Sequence, residues 1–169
     1  LTHANYKTAQ LGTLGVLAEG FARDKTLTTP DPISLHRLLA DLKANGFTHI
    51  VMEVSSHALD QHRVSDVKFN TAVHTNLTPE HLDYHETMED YFHAKARLFK
   101  SLPITGTSII NMDDESGGRF QKESTAPVIT TALQNGTDVS FKEIENDLDG
   151  IRGIVKAGDL RVPIASSLI

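Results

Sequence analysis

Two stretches of the chain carry side chains that could do chemistry together. One reads Glu53-Val54-Ser55-Ser56-His57, the other Thr75-Asn76-Leu77-Thr78-Pro79-Glu80-His81-Leu82-Asp83-Tyr84-His85. Each follows an apolar run of strand length, and in open α/β sheets ligands bind outside the carboxyl ends of the strands. A carboxylate, hydroxyls and imidazoles would meet in one crevice there. Oxygen-rich sites of this kind suit Mg²⁺ held together with substrate phosphates. The bland alternative is a helix cap followed by a solvated loop. Of nine histidines, His57, His62, His74, His81, His85 and His93 fall in this middle region. His81-x-Asp83-x-His85 also raises a metal-dependent hydrolase, but zinc needs three or four converging ligands, and no H-E-x-x-H occurs.

Lys95 is the sharpest single residue. On a helix expected from Thr87 to Leu102, the apolar stripe runs Met88, Tyr91, Phe92, Leu98, Phe99 and Leu102. Lys95 lies on that stripe, whereas Arg97 and Lys100 lie off it. A buried lysine is costly unless it is paired, altered or deprotonated. A neutral amine is nucleophilic; it can add CO₂ and become a carbamate, exchanging a cation for an anion that a metal would accept. The alternative is a buried stem with the ammonium in water. Thr28-Thr29-Pro30-Asp31 precedes a helix, where hydroxyls and the helix N-terminus could hold an anion or simply cap the helix. Arg63, beside Gln61, could fork onto a carboxylate or phosphate, or stand as an ordinary surface arginine. No G-x-x-x-x-G-K-[ST] is present, and Gly12-Thr13-Leu14-Gly15 does not replace it.

The elements that would position these groups alternate. Thr8 to Leu14 reads as a short buried strand. Asp31-Pro32 starts a helix, Leu35, Leu38, Leu39 and Leu42 follow at helical spacing, and Gly46 ends it. The continuous apolar run His49–Val54 predicts a strand buried on both faces, as in a parallel sheet. Ser55-Ser56 can cap a short helix reaching about His62. Further strands are expected over Phe69–Leu77, Thr107–Asn111 and Ala126–Thr131. This alternation predicts an α/β fold with a doubly wound, mostly parallel sheet over residues 1–135. After Gly136, the segments Asp138–Glu145, Gly150–Ala157 and Asp159–Pro163 are near-alternating and joined by turns. They predict a small antiparallel β appendage over residues 136–169.

Composition bounds the function. The 169 residues are 39% apolar and 22% charged, which is globular composition. A chain of this length can bury roughly two-thirds of the surface it exposes unfolded. The net charge of −6 argues against nucleic acid or an anionic membrane as the main partner. With no cysteine there is no disulfide framework and no thiolate metal site. No membrane span or signal peptide is visible, so a cytoplasmic location is expected. Both ends read as cuts: Leu1 is not a Met, and Val162–Ile169 stops without a closing element.

The blocks Gly12–Gly15, Thr28–Asp31, Met52–Leu59, Gln61–Val64, Thr75–Leu77, His81–His85, Ala94–Phe99 and Asn111–Asp114 together resemble the Mur ligases, and within them the MurE group. The similarity spans nearly the whole chain and weakens after about Thr131. It implies the central, P-loop-type domain of an ATP-dependent acid–amino-acid ligase of bacterial peptidoglycan synthesis. Such an enzyme uses ATP to form an acyl phosphate on UDP-N-acetylmuramoyl-L-alanyl-D-glutamate, which the amine of meso-diaminopimelate or L-lysine then attacks. The resemblance implies that Thr28, Thr29, Ser55, Gln61 and Arg63 hold the UDP-N-acetylmuramoyl-dipeptide, that Glu53 and His81 surround Mg²⁺, and that Lys95 becomes an N-carboxylysine. Leu27 stands where the family often has Asn. The P-loop, the adenine-contacting helix and the N- and C-terminal domains would lie outside the chain, so the fragment is expected to be inactive alone. Two other readings compete: a non-catalytic Mur-ligase-like binding module, and the metal-dependent hydrolase.

Overall fold

A computed structural model describes residues 1–21, 27–133, 136–147 and 150–167. Leu168 and Ile169, the end of the segment read as an unclosed terminus, lie outside the described residues. The chain divides into two compact units, residues 1–67 with 81–95, and residues 68–80 with 96–169.

In the first unit, strand β1 (Thr8–Gly12) is the centre of a three-stranded sheet. It pairs antiparallel with β2 (Gly15–Ala18) and parallel with β3 (His49–Met52). The first strand therefore ends two residues before Leu14, and a hairpin strand follows that the sequence reading did not contain. The reason is the turn: Leu14 is exposed, and Gly15 takes φ +90°, a conformation that favours glycine. Helix α1 (Pro32–Ala44) begins as expected, with the Asp31 carboxylate accepting from the backbone N–H of Ile33 at 3.1 Å and of Ser34 at 3.0 Å. Bonds from the Ser34 hydroxyl and these amides hold the Asp31 carboxyl below its ordinary range. Leu35, Leu38 and Leu42 are its buried face.

β3 departs from its expected burial. Ile50 is 36% and Val51 54% exposed. β3 is the edge of its sheet, so neither its outer ladder nor its faces are enclosed as a central parallel strand's would be. Helix α2 (Ser56–Asp60) is capped by Ser55, whose Oγ accepts from Ala58 N–H at 3.2 Å. A single turn, α3 (Leu82–His85), precedes α4 (Met88–Lys100), of which residues up to Lys95 belong to this unit. Thr87 opens α4: its hydroxyl accepts from Asp90 N–H at 3.1 Å and donates to the Asp90 carboxylate.

The second unit holds a six-stranded sheet in chain order: β4 (Thr71–His74), β5 (Thr107–Asn111), β6 (Val128–Ala132), β7 (Val139–Asp147), β8 (Gly150–Ala157) and β9 (Leu160–Ser166). β4 to β7 pair in parallel, while β7, β8 and β9 are antiparallel. The antiparallel strands thus continue the parallel sheet through β7, whose Val139 lies opposite Thr131. β4 is shorter than the expected Phe69–Leu77 because side chains, not a ladder, take over its exit. Asn111 Nδ2 donates to Thr75 O at 2.8 Å, and Leu77 N–H donates to the Asp114 carboxylate at 3.0 Å. Helix α5 (Gly117–Glu123) was not expected, since Gly117-Gly118 is a poor helical start. A side chain at Gly117 would collide with the Asn111 carbonyl. Phe120 of α5 is fully buried, stacked on His74 with ring centres 4.1 Å apart and 5.2 Å from Phe99. Pro163 sits in the edge strand β9, where its missing N–H costs no central ladder bond.

Candidate functional site

All eight residues singled out from the sequence lie in the first unit, and hydrogen bonds and ring contacts join them in one chain of contacts. Glu53, just past β3, is received by the β1–β2 turn: Thr13 donates to Glu53 Oε2 from its N–H at 3.1 Å and from its hydroxyl at 2.9 Å. That approach requires Gly12, because a Cβ there would overlap the Glu53 carboxylate. The Thr13 hydroxyl also meets the Thr28 hydroxyl at 3.2 Å. Buried Thr29 clamps the same strand exit from the other side. Its hydroxyl donates to Glu53 O at 3.0 Å and accepts from Ser55 N–H at 3.1 Å.

Arg63 is tied to this clamp. Its Nη1 donates to Thr29 O at 3.0 Å, and Nε and Nη2 both donate to Gln61 Oε1, Nε at 3.0 Å. The guanidinium is therefore a fixed fork and not a free surface charge. Gln61 turns its Nε2 to the Tyr84 hydroxyl at 3.1 Å, which in turn donates to Asp60 Oδ2 at 3.0 Å. The Tyr84 ring lies 4.1 Å from His57, and His57 lies 5.1 Å from His81. His81 takes φ +57° and contacts the Tyr91 ring edge-on at 5.9 Å. The Lys95 ammonium rests 4.9 Å from the centre of that same ring.

Lys95 is half-buried, between the enclosed amine and the solvated ammonium weighed from the sequence. Beneath it, buried His85 bonds through Nε2 to Ser56 Oγ at 2.9 Å and stacks on Tyr91 at 5.1 Å. Burial, and then the neighbouring His57, push the His85 pKa below its ordinary value, and Asp60 and Asp90 only partly oppose this. That shift favours the neutral imidazole over the charged one. Thr13, Tyr84, His85 and Tyr91 were not assigned roles from the sequence. Tyr91 had a signal, since it precedes Lys95 by one helical turn. The contact of Thr13 with Glu53 had none, since it depends on an unforeseen hairpin.

The second polar stretch is shared between the two units. His81–His85 sit in the first unit against α2, whereas residues 75–80 belong to the second. There Asp114 organises them. It accepts from Leu77 N–H, from Ser116 N–H and hydroxyl, and from His74 Nε2 at 3.2 Å. Burial alone would raise the Asp114 pKa, but these donors outweigh it and hold the carboxyl below its ordinary range. Among the described residues, no three His, Asp or Glu side chains converge into a metal cage.

The fold is α/β: among the described residues four strand pairings are parallel and three antiparallel. The polar side chains gather just past β3 and around α2. The chain belongs to the Mur ligase middle domain family, whose description matches residues 1–169. It is 38% identical, over 96% of its length, to the UDP-N-acetylmuramoyl-L-alanyl-D-glutamate--2,6-diaminopimelate ligase of Rhizobium meliloti (strain 1021). It is 41% identical, over its full length, to the ligase of the same name from Synechococcus elongatus. These matches cover 35% and 34% of the two relatives, so the chain spans about a third of their length. A solved structure of a 2,6-diaminopimelate ligase superposes with a TM-score of 0.87 at 30% identity, covering 99% of this chain and 35% of its own. The MurF ligase from Thermotoga maritima in complex with ADP shares the fold alone, with a TM-score of 0.64 at 13% identity over 98% of this chain and 35% of its own.

Proposed function

We propose that the chain is the central catalytic part of an ATP-dependent amide ligase joining 2,6-diaminopimelate to UDP-N-acetylmuramoyl-L-alanyl-D-glutamate in peptidoglycan synthesis. Its partners are then that nucleotide-sugar dipeptide, the diamino acid, and flanking N- and C-terminal domains of the same protein. The observation that carries the reading is the single run of contacts from Thr28 and Glu53 through Arg63 and Gln61 to His81 and Lys95. The 2,6-diaminopimelate named for the relatives favours that amine over L-lysine.

In this reading Thr28, Thr29, Ser55, Gln61 and Arg63 bind the anionic nucleotide sugar. Arg63 supplies fixed positive charge, and Thr29 sets the strand exit from which Ser55 projects. Glu53, His81 and Lys95 serve Mg²⁺. The donor chemistry fits: Mg²⁺ takes one or two carboxylates together with substrate phosphates and waters, and needs no cage made wholly of protein. The zinc hydrolase would need such a set of three or four ligands, which the described residues do not assemble. Lys95 becomes an anion by adding CO₂: the amine lone pair forms the N–C bond, a C=O π pair moves to oxygen, and a proton leaves to solvent. When bound, Mg²⁺ neutralises charge on the phosphoryl group in transfer. The enzyme acts in the cytoplasm, where ATP and the nucleotide sugar are present.

The test is phosphate release by the whole protein containing this chain. Turnover requiring ATP, Mg²⁺, the dipeptide substrate and diaminopimelate together is the expected result. Tight nucleotide-sugar binding with no turnover would overturn it in favour of the binding module.

A further inference from the structure

His85 takes no part in the proposed binding of substrate or metal, yet it is among the most enclosed polar side chains of the first unit. It is 5% exposed and Ser56 3%. A buried polar group is retained at low cost only when its bonds are made, and here each of the two answers the other at 2.9 Å. The bond fixes the imidazole from below through α2. The flat face of the imidazole meets Tyr91 nearly parallel, at 22°. Tyr91 is itself 3% exposed. Its ring meets His81 edge-on, 5.9 Å between centres at 89°, and it carries Lys95 Nζ at 4.9 Å. A single enclosed imidazole therefore stands behind the ring on which two of the three proposed metal-site residues, His81 and Lys95, rest.

We propose that His85 is a positioning residue: anchored by Ser56, it sets the Tyr91 ring as a platform that places Lys95 and His81. The inference rests on the role given above to Lys95, and it assigns the means by which that side chain is placed. The geometry explains why a bulky polar residue occupies an enclosed position where an aliphatic one would pack at no hydrogen-bonding cost. A ring stacks flat on a ring, and a nitrogen bonded to a helix fixes which way the ring faces. Long lysine side chains lose rotamer freedom when placed, so a fixed ring face under the ammonium reduces the conformations Lys95 must give up to act.

The experiment is carbon–proton NMR of the chain labelled at lysine Cε, with the Lys95 signal identified by its loss in Lys95→Arg. A methylene held over a ring face is shifted upfield, so the Lys95 signal should stand upfield of the other lysines. His85→Ala should return it to the common lysine position. Ser56→Ala, which removes only the anchoring hydroxyl, should move it part of the way. His85→Gln, which keeps a polar group but no stacking ring, should behave like the alanine variant. A Lys95 signal without the upfield shift in the unaltered chain overturns the proposal. So does a signal unmoved in Ser56→Ala and His85→Gln while their amide spectra remain folded; these two variants decide the matter if His85→Ala does not fold. A parallel spectrum in ¹³C-bicarbonate reads the carbamate itself. A carbamate missing from the unaltered chain refutes the role given to Lys95 and leaves the ring shift to judge the platform.

Discussion

Thr29 offers the most direct test of how the site is held. Its hydroxyl is 1% exposed with the rest of the residue, and it satisfies two backbone groups at once, Glu53 O and Ser55 N–H. Thr29→Val keeps the shape and deletes both bonds. A buried polar group left without its partner costs about 1–3 kcal/mol. The strand exit is partly open to water, so each group sits near the lower end, and the pair comes to about 2–3 kcal/mol. In a chain of this size, each kcal/mol lowers the melting temperature by about 2–4 °C, giving about 4–12 °C in a calorimetric scan. Thr29→Ser separates the hydroxyl from the methyl. It keeps both bonds and loses one buried methyl, about 1 kcal/mol. The valine variant should therefore melt clearly below the serine variant. If valine melts at or above serine, the hydroxyl bridge does not hold the Glu53–Ser55 exit, and the account of the site's rigidity fails.

Two further outcomes are expected elsewhere in the chain. Arg63→Lys removes a fork that bonds Thr29 O and Gln61 Oε1 together, and a lysine is a point charge that cannot reproduce it. Affinity for the nucleotide-sugar dipeptide, read by titration calorimetry, should fall about tenfold, roughly 1.4 kcal/mol, and an unchanged affinity would remove Arg63 from the binding site. The Asp114 carboxyl is depressed in the folded chain, so it contributes stability that is fully present above its ordinary value of 3.8 and is lost as the pH falls through its folded value. Urea midpoints should therefore fall with acid more steeply in the natural chain than in Asp114→Asn; equal slopes would show that the bonds to Leu77, Ser116 and His74 contribute nothing.

Much of the first unit was legible because local chemistry decided it. Asp31-Pro32 and Gly46 bound α1, and Ser55 caps α2, each by a mechanism that acts within a few residues. In the second unit, Thr107–Asn111 was recovered residue for residue because its alternating burial, with Ser108 and Ile110 inside, matches a strand in a sheet. What could not be read depends on partners distant in sequence. β2 exists because Gly15 can turn the chain back. α5 starts on Gly117 because the Asn111 carbonyl leaves no room for a side chain there. The exposure of β3 follows from its place at the sheet edge, which an apolar run cannot reveal. For the site, the sequence singled out Glu53, His81 and Lys95, but the ring contacts that link His81 and Lys95, through Tyr84, His57 and Tyr91, emerged only from the structure.

Those rings bear on why the sequence blocks are spaced as they are. Thr28 and Thr29 precede one helix, Glu53 and Ser55 follow β3, Gln61 and Arg63 follow α2, and Lys95 lies in α4. No two of these groups share an element, so each could drift independently if only its own backbone held it. The structure removes that freedom with contacts that run between elements. Thr13 and Thr29 fix the end of β3 from two sides, Arg63 fixes the exit of α2 to the Thr29 carbonyl, and Tyr84 passes the constraint to His57 and His81. Productive geometry tolerates only about 0.5 Å of error, and side chains on separate elements meet that tolerance only when their supports are themselves enclosed. Thr29, Ser56, His85 and Tyr91, each 5% exposed or less, are those supports, and disturbing one of them should be felt at side chains it does not touch.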